Sequence, residues 1–127
     1  MEKRWKCEED ILCGVNEAKD AGNLTDLEKK HIPVIQCPEE VKKNEPFNIS
    51  IEVGRLTPHP NEASHFIEWL EIYSGDTFLG RMSFSGGASY PKATFKVKLS
   101  HAHGPIKVWE KCNLHGLWES TKMIKVE

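Results

Sequence analysis

Apolar and polar residues alternate with a period of two over most of the chain after residue 31. Pro46-Phe47-Asn48-Ile49-Ser50-Ile51-Glu52-Val53 reads as a half-buried strand, and Ala93-Thr94-Phe95-Lys96-Val97-Lys98-Leu99 repeats the pattern with lysines outward. His65 through Tyr73 is β-branched and aromatic, apolar on both faces in places, and predicts a central strand. Thr77 through Phe84 follows the turn Ser74-Gly75-Asp76 and is expected to pair with it as a hairpin. Ile106 to Glu110 and Met123 to Val126 predict two more strands. His31-Ile32-Pro33-Val34-Ile35 predicts an edge strand, because Pro33 has no N–H to give to a ladder. Six or seven short strands separated by turn signals predict an all-β fold, an antiparallel β-sandwich.

The first 30 residues break the pattern. They are highly charged, hold a small apolar group (Trp5, Ile11, Leu12, Val15), and contain Gly14 and the turn-like run Asp20-Ala21-Gly22-Asn23. Leu24-Thr25-Asp26-Leu27-Glu28 predicts the start of a short helix, with Thr25 as cap and Glu28 three residues on as in a capping box.

At 127 residues the chain is one domain long. Its 17 basic and 19 acidic residues give a net charge of −2, which lacks the one-signed field of a nucleic-acid or anionic-membrane binder. No apolar run approaches the roughly 18 residues of a membrane span. The first ten residues carry seven charges and no apolar segment of the secretory kind, so a cytoplasmic protein is expected. The cytosol keeps thiols reduced. Metal binding or catalysis is thus the better question for Cys7, Cys13, Cys37 and Cys112 than disulfide bonding.

Histidines and one cysteine recur where predicted strands meet loops: His31, the pair His59 and His65, and the Cys112-x-x-His115 step. A C-x-x-H turn lets a thiolate and an imidazole meet one ion, and Gly116 permits the backbone angles of such a turn. Each pair alone is common in proteins that bind nothing; their joint appearance is not. Structural zinc closes with four ligands, usually with more than one cysteine. Four imidazoles and one thiolate leave one octahedral position open, a donor set that favours redox iron over calcium, magnesium or structural zinc.

The runs Glu28-Lys29-Lys30-His31-Ile32-Pro33, His59-Pro60 on through His65 to Trp69, and Cys112-Asn113-Leu114-His115-Gly116-Leu117-Trp118 resemble the superoxide reductases, the neelaredoxin and desulfoferrodoxin family. The resemblance covers residues 28–127 and sets the expected division, an N-terminal extension, 1–27, and a sandwich domain, 28–127. It implies an immunoglobulin-like antiparallel β-sandwich of about seven strands holding one non-haem iron. It also implies the ligand set: His31, His59, His65 and His115 as equatorial imidazoles, and Cys112 as the axial thiolate. The implied reaction is one-electron reduction of superoxide to hydrogen peroxide, of the one-iron class. An external electron donor such as rubredoxin and a homo-oligomer, dimer or tetramer, are implied with it.

Two site residues are expected beside these ligands. Lys30 would draw superoxide to the mouth and order the water that delivers a proton. Glu28 stands where the family pattern is shifted: that pattern has glutamate two positions before the histidine, and here Lys29 occupies that place. Glu28 reaches the iron only if the loop bulges by one residue; otherwise it caps the helical turn or faces solvent. Cys7 and Cys13 are expected to be inert buried thiols, a redox pair or shared metal site being the sharper alternative, and Cys37 is given no role. His101 and His103 are read as surface histidines, and Trp69, Trp109 and Trp118 as core or as shields of the site, with Trp118 walling one side. Two other readings compete: a cupredoxin-like electron carrier, which needs Met123 as axial ligand, and a structural zinc-binding interaction domain.

Overall fold

The computed structural model describes residues 10–127. Its elements in chain order are β1 (Val15–Asn16), helix α1 (Asp26–His31), β2 (Val34–Gln36), β3 (Glu40–Val41), β4 (Phe47–Glu52), β5 (Ile67–Ser74), β6 (Thr77–Ser83), β7 (Lys92–Val97), β8 (Ile106–Cys112), β9 (Gly116–Lys122) and β10 (Lys125–Val126). Seven of the described strands run three residues or more. A five-stranded sheet in the order β1-β9-β8-β5-β6 faces a three-stranded sheet in the order β2-β4-β7, and a short β10-β3 pair completes the strands. The antiparallel sandwich read from the alternation is the observed fold.

The alternation decides what lies between the layers. Phe47, Ile49 and Ile51 of β4 and Ala93 and Val97 of β7 pack against Leu70 and Ile72 of β5 and Ile106 and Val108 of β8. Leu70, Ile72, Ile106 and Val108 are fully buried. Each such side chain contributes about 1.5–3 kcal/mol of burial, so this row is the main stabilising block. Strand β5 begins and β8 ends at the same edge of the sandwich, where Ile67 pairs with Cys112. An irregularity in β5 between Ile67 and Trp69 shifts the phase, so that both Ile67 and Leu70 face inward.

Several expectations are corrected. The segment 31–35 is not one strand: the helix runs through His31, Ile32 caps it, and β2 begins only at Val34, after Pro33. It does lie at a sheet edge, as the missing N–H of Pro33 requires. The segment 123–126 supplies only β10, while Gly116–Lys122 forms the full strand β9 beside β8. Trp69 and Trp109 are neither core nor site shields. With Ile106, Val108, Glu110 and Cys112 all inward on β8, Trp109 must point out, and Lys107 lies over it while Arg81 lies over Trp69.

The N-terminal segment is woven into the sheet. Strand β1 pairs in parallel with Leu117 and Trp118 of β9, and the Asn16 side chain donates to the carbonyls of both Ile11 and Leu117 at 2.8 Å. Cys13 is half-exposed and disulfide-bonded, which corrects the reading of it as an inert buried thiol. It sits in a reversal closed by its own N–H on the Asp10 carbonyl, a turn that folds the chain back rather than burying it. The expectation for Cys7 lies outside the described residues. Among the described residues, no helix is long and apolar enough to cross a membrane.

Candidate metal centre

His31 is presented by a helix whose start is built from three local bonds. The Thr25 hydroxyl accepts from the Glu28 N–H at 3.1 Å, while the Glu28 carboxylate accepts from the Thr25 N–H at 2.8 Å and from the Lys19 N–H at 3.1 Å. This is the capping box read from the sequence. One helical turn later, His31 Nδ1–H donates to the Leu27 carbonyl at 2.7 Å, which leaves Nε2 as a bare lone pair.

His59 and His65 lie on the loop between β4 and β5. His59 Nδ1–H donates to the Pro60 carbonyl at 2.6 Å, again baring Nε2. Gly54 is required here: its φ is +86°, and a Cβ would stand 2.8 Å from the His59 nitrogen. His65 begins the approach to β5, and its Nε2 is buried with no hydrogen-bond partner.

Cys112 ends β8 and His115 sits in the turn to β9. Gly116 closes that turn at φ +80°, with the Ile11 carbonyl oxygen 2.4 Å from where a Cβ would be. The N–H groups of Leu114 and His115 point at the sulfur. Asn113, between them, was not singled out from the sequence. Its Oδ1 accepts from the Phe66 N–H at 3.0 Å, its Nδ2 donates to the Ser64 carbonyl at 3.0 Å, and its own N–H reaches the Phe66 carbonyl at 3.2 Å. These bonds grip both neighbours of His65 and tie them to the Cys112 turn. The signal in the sequence was an amide between a cysteine and a histidine in a tight turn, a residue able to donate and accept at once.

One ligand atom from each of His31, His59, His65, Cys112 and His115 lies within 4.8 Å of all the others. His31 Nε2 is 3.2 Å from His59 Nε2 and 3.2 Å from His115 Nδ1, and Cys112 Sγ is 3.3 Å from His59 Nε2. Bonds of roughly 2.1 Å set at right angles would put neighbouring nitrogens about 3.0 Å apart, so the donor set fits one six-coordinate ion. The His31 and His59 Nε2 atoms both present lone pairs, since carbonyls hold the protons of both rings on Nδ1. No hydrogen bond joins two lone pairs at 3.2 Å; a cation between them does.

Burial sets the protonation of the donors. It pushes His31 and His59 down to about 4 and lowers His115, so these three imidazoles are neutral near pH 7 and fit to ligate. Burial raises the Cys112 thiol, against the pull of the two N–H groups on its sulfur. The indole of Trp118 stacks on His31 at 5.0 Å and 19°, and its Nε1–H donates to the His115 carbonyl at 3.0 Å, so it walls one side as expected. His31 and Cys112 are buried, while His59, His65 and His115 are half-exposed, so the cluster opens on one side.

The remaining residues divide cleanly. Lys30 is half-buried, and its charge is felt by both His59 and His115. Glu28 is 5% exposed and stays in the capping box; among the described residues no carboxylate joins the five donors. His101 and His103 stack on each other in an exposed loop, with His103 bonded to Thr77. Met123, which a copper reading requires, is 75% exposed and outside the cluster. Missed from the sequence was Glu110, fully buried two residues before Cys112 with neither carboxylate oxygen partnered, and pushed by burial well above the usual carboxylate range. The inward face of β8 that carries Cys112 commits Glu110 inward too.

Residues 23–121 match the family model described as Desulfoferrodoxin. A desulfoferrodoxin from Syntrophotalea carbinolica is 42% identical over 112 residues, covering 87% of this chain and 77% of that one. A superoxide reductase from Pyrococcus horikoshii is 35% identical over 101 residues, covering 72% and 84%. Among solved structures, the superoxide reductase (neelaredoxin) from Ignicoccus hospitalis superposes with a TM-score of 0.69 at 44% identity, covering 76% of this chain and 81% of that one. With the sandwich, the five converging donors and these relatives in agreement, the chain belongs to the desulfoferrodoxin family.

Proposed function

We infer that the chain is a superoxide reductase, an oxidoreductase that converts superoxide, one electron and two protons into hydrogen peroxide. The observation that carries this is the pair of bare imidazole lone pairs, on His31 and His59, facing each other within a five-donor cluster. His31, His59, His65, His115 and Cys112 would hold one iron ion per chain, in the division 1–27 extension and 28–127 iron-binding sandwich. The iron, when bound, supplies the electron at a position open to an anion.

The protein does the rest. Neutral imidazoles add no charge, so a divalent ion and one thiolate leave the centre positive and attractive to superoxide. Lys30 adds to that potential at the mouth and holds the water from which a proton reaches the product. Trp118 shields the His31 side from water. The electron comes from an external one-electron carrier such as rubredoxin, and the protein works in the cytoplasm as a dimer or tetramer. The disulfide at Cys13 pulls against a reducing compartment.

Metal analysis with stopped-flow mixing of the reduced protein and superoxide tests the reading. One iron per chain, a visible thiolate-to-iron charge-transfer band and fast loss of superoxide without oxygen release are expected. A colourless zinc protein, or an intense copper–thiolate band, would overturn it.

A further inference from the structure

We propose that Glu28 is a positioning residue that clamps the helix carrying His31 to the N-terminal segment, and that the ferric centre therefore keeps a position exchangeable with small anions. This rests on the iron reading above. It is not what the sequence position of Glu28 first implies, since a glutamate so near the ligand histidine looks like a sixth ligand.

The geometry points the other way. Both carboxylate oxygens are spent: Oε1 on the Thr25 N–H and Oε2 on the Lys19 N–H. The carboxylate thus ties together the helix start, the turn before it and the chain at Lys19. Helical side chains lean toward the N-terminus of their helix, and Glu28 does so, while His31 offers its ring from the opposite end. Swinging Glu28 to the metal would take the partner from two part-buried N–H groups and undo the turn that holds His31. The two contacts that lower its carboxyl most directly, those to Thr25 and Lys19, are the same ones.

Nothing takes its place. Lys29, a base, stands two residues before His31, and no acid among the described residues joins the donors. Oxidation adds a positive charge to a centre whose rings already feel the charge of Lys30, and among the described residues no carboxylate joins the donors to ligate it. An exogenous anion is drawn there in the oxidised state as superoxide is in the reduced one.

The test uses the iron-loaded, oxidised protein, its charge-transfer band and sodium azide as probe, with Glu28→Gln and Glu28→Ala as variants. We expect azide to shift the parent band saturably. Glu28→Gln should leave the band in place and the azide dissociation constant within about twofold. In the metal-free protein Glu28→Ala should lower the thermal midpoint, and Glu28→Gln, which keeps one acceptor oxygen, should lower it less. A parent band blind to azide, with Glu28→Gln shifting the band and gaining azide binding by about tenfold or more, would show the carboxylate on the metal. A protein with no iron and no band would instead refute the reading of the centre. The metal-free midpoints still judge the clamp in that case, and equal midpoints for parent and Glu28→Ala overturn it.

Discussion

Replacing Asn113 with alanine should weaken iron binding more than it weakens the fold. The substitution removes two side-chain bonds, one to the Phe66 N–H and one to the Ser64 carbonyl, each 3.0 Å long. The Ser64 bond is exposed, so water replaces it at little cost; the Phe66 N–H is partly buried and loses its partner. That asymmetry puts the cost to the metal-free protein at about 1–2 kcal/mol. The larger effect follows from what the bonds hold. Phe66 and Ser64 flank His65, whose Nε2 is buried without a hydrogen-bond partner to aim it. Losing a group that orients a ligand typically costs about 10–100-fold in metal affinity. Asn113→Asp keeps the acceptor for Phe66 and loses the donor, so its metal-free stability should sit nearer the parent. The assay is urea unfolding of the metal-free and iron-loaded forms, with competition against a chelator for affinity. If Asn113→Ala lowers both forms equally and leaves affinity untouched, the amide holds the turn and does not place His65.

Lys30→Met should slow the reaction of the reduced protein with superoxide by about tenfold and flatten its dependence on ionic strength; unchanged rates in stopped-flow would remove Lys30 from the mechanism. The metal-free protein should be acid-labile, because His31 and His59 fall from 6.5 to about 4 on folding. The native state then binds fewer protons than the unfolded one across that window, so stability drops as pH falls from about 6.5 to about 4 and levels off below. The open side of the centre and the coupling between the rings reduce the effect to about 1–2 kcal/mol per ring, and a flat denaturation midpoint across the window would contradict the burial argument. In the loaded protein the same protons compete with the metal, so iron should be released in acid. Glu110→Met should stabilise the fold by about 1–3 kcal/mol, since it replaces a buried, unpartnered carboxyl with an apolar chain of similar size; a lower thermal midpoint would reveal a partner for Glu110.

What could be read from the chain follows from the range of each signal. Period-two alternation is local, so the strands of the sandwich from Phe47 to Cys112 were legible within a residue or two at most ends. The Thr25–Glu28 box is also local and was read correctly, but its consequence, a helix that continues to His31, competed with the strand-like run Ile32 to Ile35. Gly116 to Lys122 was read for its turn glycine and for Trp118 and not as a strand, although its pairing with β8 is what turns Cys112 and His115 toward one point. The parallel pairing of β1 with β9 left no trace, because two residues carry no periodicity. The ligand residues were visible as a set because metal chemistry restricts residue type. Their supports, Asn113 and the Leu27 and Pro60 carbonyls, were not, because backbone partners have no residue identity to recognise.

The same division explains how a chain of net charge −2 serves an anionic substrate. Long-range steering by the whole molecule is weakly unfavourable, so attraction must be made locally and within about a Debye length of the mouth. Apart from its thiolate, the proposed centre draws its ligands from groups that leave the charge of the ion in place. Burial keeps His31 and His59 neutral where free histidines would titrate near neutrality. The thiolate is the one negative donor, and Lys29 and Lys30 lie in the last turn of the helix that carries His31. Glu28, the nearest acid in sequence, has its charge absorbed by two backbone N–H groups at the other end of that helix. Hydrogen peroxide, being neutral, is held by none of this. The field that gathers the substrate therefore lets the product go, and moving the Glu28 charge to the mouth would weaken the first step without helping the second.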